Sequence, residues 1–257
     1  MCRLLAFVGK ENFRKEDVDT IWNRFMDMAM DKTKNHELNV NKQGQFTHNH
    51  GWGVVWLQNG KLESYHSITQ IWDDKIPNEI FEQLLDANFI MLHVRKASPG
   101  LPVKIESLHP FIRQSQKYGN IPLIHNGTIS NYEAIKIDPS LKQLTQSDTE
   151  RFLLSIITEL DSSNDVSDIV SQIKKVVNEL PTYSGLNFMT LIDGNIIVSR
   201  NYTKNENYLS LYQGTNGDNT IFCSETIPLS GYDWRLLANH EYIEIPVGQS
   251  ITPKVPN

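Results

Sequence analysis

Apolar residues gather in short runs along the chain, and the spacing within each run indicates a structure. Residues 2–8, 89–94 and 121–124 are mostly apolar and bounded by glycine or polar residues, which is typical of buried strands. Residues 16–30 carry apolar side chains at helical spacing, and residues 149–160 also read as a helix. The pattern therefore predicts buried strands interrupted by amphipathic helices.

Turn-forming pairs complete this outline. Asn59-Gly60 separates strand-like residues 51–57 from residues 61–65, and Asn-Gly is a strong signal for a two-residue hairpin turn. The remaining predicted elements are strands over residues 188–192 and 196–199 joined at Asp193-Gly194, strands over residues 208–212 and 220–223, and helices over residues 78–85 and 166–180.

The predicted elements come in blocks, with the helices clustered twice. Such blocks suit two sheets packed between helical layers better than a sheet built from strictly alternating strands and helices. No internal repeat or low-complexity tract divides the chain, so we predict one domain over residues 1–257.

Composition narrows the class of protein. The 257 residues are 39% hydrophobic and 21% charged, and a chain of this length can bury a sizeable core without disulfides. The formal net charge is −6 and the basic residues are scattered, which argues against a nucleic-acid partner. The apolar run over residues 4–8 is too short for a signal peptide, and no segment is long enough to span a membrane. We therefore expect a cytoplasmic protein.

The two cysteines, Cys2 and Cys223, do not suggest a disulfide framework. Cys2 follows the initiator Met1, and a small second residue normally permits removal of that methionine. An N-terminal cysteine combines a nucleophilic thiol with an α-amine, whose reference pKa of about 7.7–8.0 suits a general base. On position alone, Cys2 is equally well read as a small apolar residue of a strand. Cys223 is expected to be a buried structural thiol.

Hydrolysis of a glutamine side chain would require three further groups. A planar cation would bind the α-carboxylate, and Arg95, which ends an apolar strand, is a candidate. A carboxylate would bind the α-ammonium, and Asp148 is a candidate. N–H donors would hold the oxyanion, and Asn126 with Gly127, at the end of another apolar strand, could supply them.

Each candidate also has a simpler interpretation. Arg95 could be a surface arginine at a strand end, and Asn126-Gly127 could be an ordinary turn. Ser147 and Glu150 fit a helix capping box, in which Asp148 would only complement the helix dipole. The spacing of five histidines does not match a metal site, so we expect no metal and no other cofactor; they are His48, His50, His93, His109 and His125.

Six short motifs, taken together, resemble the class II glutamine amidotransferases, which are N-terminal-nucleophile hydrolases. They stand in the family's order over residues 1–150. The motifs are Met1-Cys2-Arg3, His50-Gly51-Trp52-Gly53, His93-Val94-Arg95-Lys96-Ala97-Ser98, His109-Pro110-Phe111, His125-Asn126-Gly127 and Ser147-Asp148-Thr149-Glu150.

The resemblance implies a fold and a set of roles. The fold would be α+β, a four-layer αββα sandwich of two antiparallel sheets. Cys2 would be the nucleophile, with its amine as base, and no catalytic histidine would be needed. The implied substrate and oxyanion groups are Arg95 with Ser98 nearby for the carboxylate, Asn126 and Gly127 for the oxyanion, and Asp148 for the α-ammonium.

Two departures concern the substrate more than the reaction. His50 stands where many relatives carry Asp, and Lys96 stands where synthase-fused relatives carry Trp. Later segments, Ser224-Glu225, Pro228-Leu229 and Trp234-Arg235, resemble a stand-alone subgroup that includes the γ-glutamyl amide hydrolase of ergothioneine synthesis.

Four readings of the function follow. The first is a stand-alone hydrolase of glutamine or γ-glutamyl compounds, with a peptidase as a conceivable partner. The second is a glutaminase subunit that delivers ammonia to a separate synthase. The third is a binding or regulatory protein of the same fold without catalytic activity. The fourth is an acylase for other amides. Such an enzyme has less need of Arg95 and Asp148, which together would recognise an amino-acid head group.

Overall fold

The computed structural model describes residues 2–9, 15–33, 46–76, 78–97, 100–164 and 168–248. Four α-helices occur in these ranges: α1 (Lys15–Ala29), α2 (Asn78–Leu85), α3 (Asp148–Ser162) and α4 (Ile169–Asn178). The strands are β1 (Arg3–Gly9), β2 (Trp52–Gln58), β3 (Lys61–Ser67), β4 (Phe89–Val94), β5 (Phe111–Ser115), β6 (Gly119–Ile129), β7 (Tyr183–Ile192), β8 (Asn195–Arg200), β9 (Tyr212–Thr215), β10 (Asn219–Cys223), β11 (Asp233–Leu236) and β12 (Glu241–Pro246). None of the helices in these ranges is long and apolar enough to cross a membrane.

The strands form two antiparallel sheets. The larger sheet has the order β11-β9-β10-β1-β4-β2-β3, and the smaller has the order β12-β8-β7-β6-β5. β1 lies at the centre of the larger sheet, and all seven of its residues are buried. A strand buried on both faces carries apolar side chains on both, which is why residues 4–8 show no alternation. The exception is Arg3, a buried cation that pairs with Glu225 (3.5 Å).

Three apolar cores separate four layers. Leu4 and Ala6 of β1 pack between the two sheets, together with Met189 and Val198 of the smaller sheet. Leu5 and Phe7, on the other face of β1, join the core beneath α1 and α2. A third core lies between the smaller sheet and the pair α3 and α4. The predicted αββα sandwich is therefore confirmed.

Most predicted elements match observed ones. The Asn59-Gly60 hairpin joins β2 to β3, and both turn residues have positive φ values of 51° and 73°, as a type I′ turn requires. One difference affects the site. The strand predicted over residues 121–124 is part of the longer β6, so Asn126 and Gly127 lie within a strand and not at its end.

The prediction of a strand over residues 208–212 was wrong except for its last residue. Residues 208–211 instead form a buried loop held by the guanidinium of Arg200. That group donates to the carbonyl oxygens of Leu209 (2.8 Å), Leu237 (2.6 Å) and Glu206 (2.9 Å). The hydrophobic pattern of the sequence did not indicate that an arginine side chain would donate hydrogen bonds to these carbonyl oxygens. The strands β5, β11 and β12 were not predicted. All three are edge strands, so their residues are only partly buried and do not form a continuous apolar run.

The capping box proposed for α3 is not formed. Ser147 is the N-cap residue, but its side chain makes no capping hydrogen bond. Glu150 instead accepts hydrogen bonds from the backbone N–H groups of Leu144 (2.8 Å) and Thr145 (2.7 Å), and from Arg113 Nε (2.9 Å). Its side chain is fully buried, so this ion pair ties α3 to β5 and to the loop before the helix.

We expect Glu150→Gln to destabilise the fold by about 3 kcal/mol, because it leaves a cluster of donors around a neutral amide in a buried place. The matched control is Glu159→Gln, also on α3, which breaks an exposed pair with Lys175 and should cost at most about 1 kcal/mol. Urea unfolding of both variants gives the comparison. Equal losses would contradict this assignment.

Four histidine side chains lie in the interior: His48, His93, His109 and His125. Burial lowers the pKa of each below the ordinary histidine value, and for His48, His93 and His109 the shift is large. His109 Nδ1 and His93 Nε2 lie 2.9 Å apart, so one ring donates to the other. The native fold therefore keeps these imidazoles neutral.

This burial predicts acid lability. The pKa of each histidine is lower in the folded chain than in the unfolded chain, so only the unfolded chain gains protons as the pH first falls below about 6.5. Between the pKa of the unfolded chain and the lower pKa of the folded chain, the free energy of unfolding falls as the pH falls. The decrease is about 1.4 kcal/mol per pH unit for each histidine. Urea unfolding at pH 7.5, 6.5 and 5.5 measures the slope, and a free energy of unfolding that stayed constant would contradict it.

Candidate active site

Cys2 lies immediately before β1, at the centre of the larger sheet. The pairing of Arg3 with Val94 places Cys2 beside Arg95 at the same end of the sheet. Side chains alternate along a strand, so Cys2 shares the face of Leu4 and Ala6, which points between the two sheets. The residue is partly exposed, and its thiol forms no disulfide. This geometry brings the thiol to one end of the cleft between the sheets.

Asn126, on β6 of the facing sheet, is in direct contact with Cys2. The backbone nitrogen of Cys2 donates to Asn126 Oδ1 at 2.8 Å. The other half of this amide, Nδ2, is buried and has no hydrogen-bond partner among the described residues. A buried donor without a partner is unusual in a folded protein and calls for an explanation. An oxyanion formed next to Cys2 would supply the missing acceptor.

Gly127 follows Asn126 on β6, which pairs with the neighbouring strand β7. A Cβ atom at this position would collide with the carbonyl oxygen of Gly185 and approach His125 Nε2 to 2.7 Å. Only glycine therefore permits this backbone contact. The glycine keeps the strand beside Asn126 free of side-chain atoms.

Arg95 follows β4 directly. Its backbone N–H donates to Gly51 O (2.9 Å), and its Nη1 donates to the carbonyl oxygen of Pro102 (3.0 Å). Partial burial lowers the pKa of Arg95. The guanidinium remains a cation at any physiological pH, with further N–H donors for an anion. Ser98, the other predicted carboxylate ligand, lies outside the described residues.

Asp148 opens α3 and reaches back to β6. Its Oδ2 accepts from the backbone N–H of Ile129 (2.8 Å), and its Oδ1 accepts from the N–H of Thr149 (2.8 Å). The Thr149 hydroxyl oxygen also lies 3.3 Å from Oδ1. A carboxylate can accept about four hydrogen bonds, so Asp148 is still able to receive a cation. Asp148 thus contacts β6 at Ile129, two residues beyond Gly127 on the strand that carries the oxyanion candidates.

His125 connects these groups. Its Nε2 donates to Gly185 O (3.3 Å), which leaves Nδ1 to accept from the Thr149 hydroxyl (2.8 Å). Burial lowers its pKa, and the negative charge of Asp148 opposes that shift. One neutral imidazole therefore fixes the start of α3 against the part of β6 that carries Asn126 and Gly127.

The structure thus brings Cys2, Arg95, Asn126 and Gly127 to one end of the sandwich, with Asp148 joined to them through β6. Sequence reasoning named His125 and Thr149 only as parts of their motifs, without the contact between them, and it missed Gly185. A glycine inside a strand signals close backbone approach, so Gly185 could have been noticed. No group of three His, Cys, Asp or Glu side chains within the described ranges could hold a metal ion.

Comparison with solved structures identifies the same fold. Glutamine phosphoribosylpyrophosphate amidotransferase from B. subtilis, complexed with ADP and GMP, is similar with a TM-score of 0.68 at 20% identity. That similarity covers 95% of this chain and 47% of the other, so this chain spans about half the length of that enzyme.

Two shorter proteins are similar along nearly their whole length. A predicted glutamine amidotransferase from Pseudomonas aeruginosa PA01 has a TM-score of 0.56 at 12% identity, covering 98% of this chain and 100% of that one. A glutamine aminotransferase class-II domain protein from silicibacter pomeroyi has a TM-score of 0.58 at 14% identity, covering 95% of each chain. At such identities these similarities show the fold alone.

The sequence itself carries a family match. No curated protein sequence matches the chain significantly. The model of the family described as glutamine amidotransferases class-II matches residues 24–211, which is well over half of the chain. The matched range includes Arg95, Asn126, Gly127 and Asp148 and begins after Cys2. The chain belongs to the class II glutamine amidotransferases.

Proposed function

We propose that the chain hydrolyses the side-chain amide of glutamine or of a γ-glutamyl compound, with Cys2 as the nucleophile after removal of Met1. The observation that carries the proposal is the contact between Cys2 N and Asn126 Oδ1, with the buried Nδ2 of the same amide unused. Once Met1 is removed, that nitrogen is an α-amine. Asn126 Oδ1 would then accept a hydrogen bond from this amine, which acts as the base, and Asn126 Nδ2 would donate one to the oxyanion.

The reaction proceeds in two halves. The Cys2 thiol gives its proton to the α-amine, and the sulfur attacks the amide carbon. The resulting oxyanion accepts hydrogen bonds from Asn126 Nδ2 and from the backbone N–H of Gly127. The carbon–nitrogen bond breaks as the α-ammonium returns the proton to the leaving amine, which gives a γ-glutamyl thioester. Water then attacks the thioester, the amine takes its proton, and the thiol is restored as glutamate leaves.

Substrate choice follows from two charged groups. Arg95 binds the α-carboxylate, for which Ser98 is the second proposed ligand, and Asp148 binds the α-ammonium. Both ends of an amino-acid head group are thus recognised, which distinguishes glutamine from amides without such a head group. Cys2 and Cys223 are both free thiols, which suits a reducing cytoplasm.

The first test is the intact mass of the purified chain before and after incubation with 6-diazo-5-oxo-norleucine, an electrophilic analogue of glutamine. We expect loss of Met1 and one covalent adduct, which peptide mapping places on Cys2. The adduct and the glutaminase activity should both disappear in Cys2→Ala.

Cys223→Ala is the matched control and should keep the single adduct. Burial raises the pKa of the Cys223 thiol to about 12, so it does not supply a thiolate at neutral pH. A chain that retained Met1 and formed no adduct would overturn the proposal and favour a binding protein of the same fold.

A second candidate is a glutaminase subunit that passes ammonia to a separate synthase. It is favoured by exposed apolar side chains on the segment after Arg95. Leu101, Val103 and Ile105 are 49%, 43% and 55% exposed, and the carbonyl of Pro102 in their midst binds the Arg95 guanidinium. An apolar surface beside the site would suit an ammonia-accepting enzyme.

This candidate predicts channelling. When the chain is purified from the cells that produce it natively, a synthase should co-purify with it. The pair should transfer nitrogen from amide-labelled glutamine into the synthase product even in the presence of excess unlabelled ammonium. Leu101→Ser with Val103→Ser and Ile105→Ser should abolish co-purification and labelling while free glutaminase activity persists. Full dilution of the label by ammonium in the wild-type pair would exclude this candidate.

A further inference from the structure

The segment that carries Arg95 is fixed to the residues just before β2. His50 N–H donates to Arg95 O (3.1 Å), and Arg95 N–H donates to Gly51 O (2.9 Å). Lys96 Nζ donates to Thr47 O (3.0 Å). These bonds hold Arg95 and Lys96, but none of them reaches Ala97.

The side chain of His50 supplies the next contact. The backbone N–H of Ala97 donates to His50 Nδ1 at 2.9 Å. One histidine therefore holds the chain on both sides of Lys96, through its backbone N–H and through its ring. The guanidinium of Arg95 in turn donates to the carbonyl oxygen of Pro102. The direction of that guanidinium thus depends on how residues 95–97 are held.

The contact requires a neutral ring. A protonated imidazole has no acceptor, so the bond from Ala97 exists only while Nδ1 carries no proton. The charged groups that act on the ring are Lys96, Arg95 and the N-terminal amino group, all of them cations. Partial burial, followed by the charges of Lys96 and Arg95, lowers the pKa of His50 below the ordinary histidine value. The ring is therefore neutral at pH 7 and available as an acceptor.

We propose that His50 is a positioning residue, whose unprotonated Nδ1 holds Ala97 and thereby keeps Arg95 aligned with the substrate carboxylate. This inference rests on the proposed function. Protonation of the ring removes the acceptor and adds a third positive charge beside Lys96 and Arg95. Without the bond from Ala97 the segment no longer keeps Arg95 in line with the substrate carboxylate, so affinity for the glutamyl head group falls, while the chemistry at Cys2 is affected less.

The test uses the full chain with Cys2→Ala, so that binding is measured without turnover. Calorimetric titration with glutamine at pH 7.5, 6.5 and 5.5 gives the Kd. We expect Kd to rise about fivefold to tenfold across this range, the equivalent of one net hydrogen bond. Urea unfolding at each pH establishes that the chain is folded.

Two substitutions separate positioning from a general structural role. His50→Asn provides an acceptor that does not titrate, so Kd should stay low and independent of pH. His50→Ala provides no acceptor, so Kd should be about fivefold to tenfold higher already at pH 7.5 and should change little below it. The control His240→Asn changes an exposed histidine and should keep the wild-type dependence.

The outcomes also separate this inference from the proposed function. If Cys2→Ala binds glutamine with the same Kd at all three pH values, or if His50→Asn keeps the wild-type dependence, the positioning role of His50 is wrong. If glutamine is neither bound by that variant nor hydrolysed by the wild-type chain at pH 7.5, the proposed function itself fails.

Discussion

The position of Cys2 depends on one constraint, the complete burial of β1. This strand is the centre of the larger sheet, and it packs on the other sheet with one face and on the helices with the other. A strand that is buried on both faces has one register in which every apolar side chain is satisfied. The residue before it is therefore fixed at one end of the cleft, opposite the strand that carries Asn126.

Around that point the fold uses neutral imidazoles as hydrogen-bond acceptors. His125 accepts from Thr149 and holds α3 to β6, and His50 accepts from Ala97 and holds the segment of Arg95. In each case burial makes the charged ring unfavourable, so the acceptor is available at neutral pH. The same burial that stabilises these contacts makes them sensitive to acid.

Family membership and the site rest on different observations. The family match covers residues 24–211 and thus the groups that would recognise and stabilise the substrate. Cys2 lies outside that range, and its assignment depends on the contact between its nitrogen and Asn126. A thiol next to a buried, unused amide donor is an arrangement suited to stabilising an oxyanion. The exposed apolar residues 101, 103 and 105 concern a separate question, the fate of the released nitrogen.

The sequence by itself determined the layers of the fold and the residue types of the site. Apolar runs without alternation identified β1 and β4, and positive-φ turn residues such as Asn59-Gly60 placed the hairpin, because these signals are local. Only the tertiary structure decided how distant groups meet. Glu150 fitted a capping box three residues from Ser147, but it pairs with Arg113 across 37 positions of sequence. Residues 208–211 have the composition of a strand, but they form a loop in which the carbonyl oxygen of Leu209 accepts from Arg200. Buried polar groups must find partners wherever the packed chain offers them, and no local pattern records that choice.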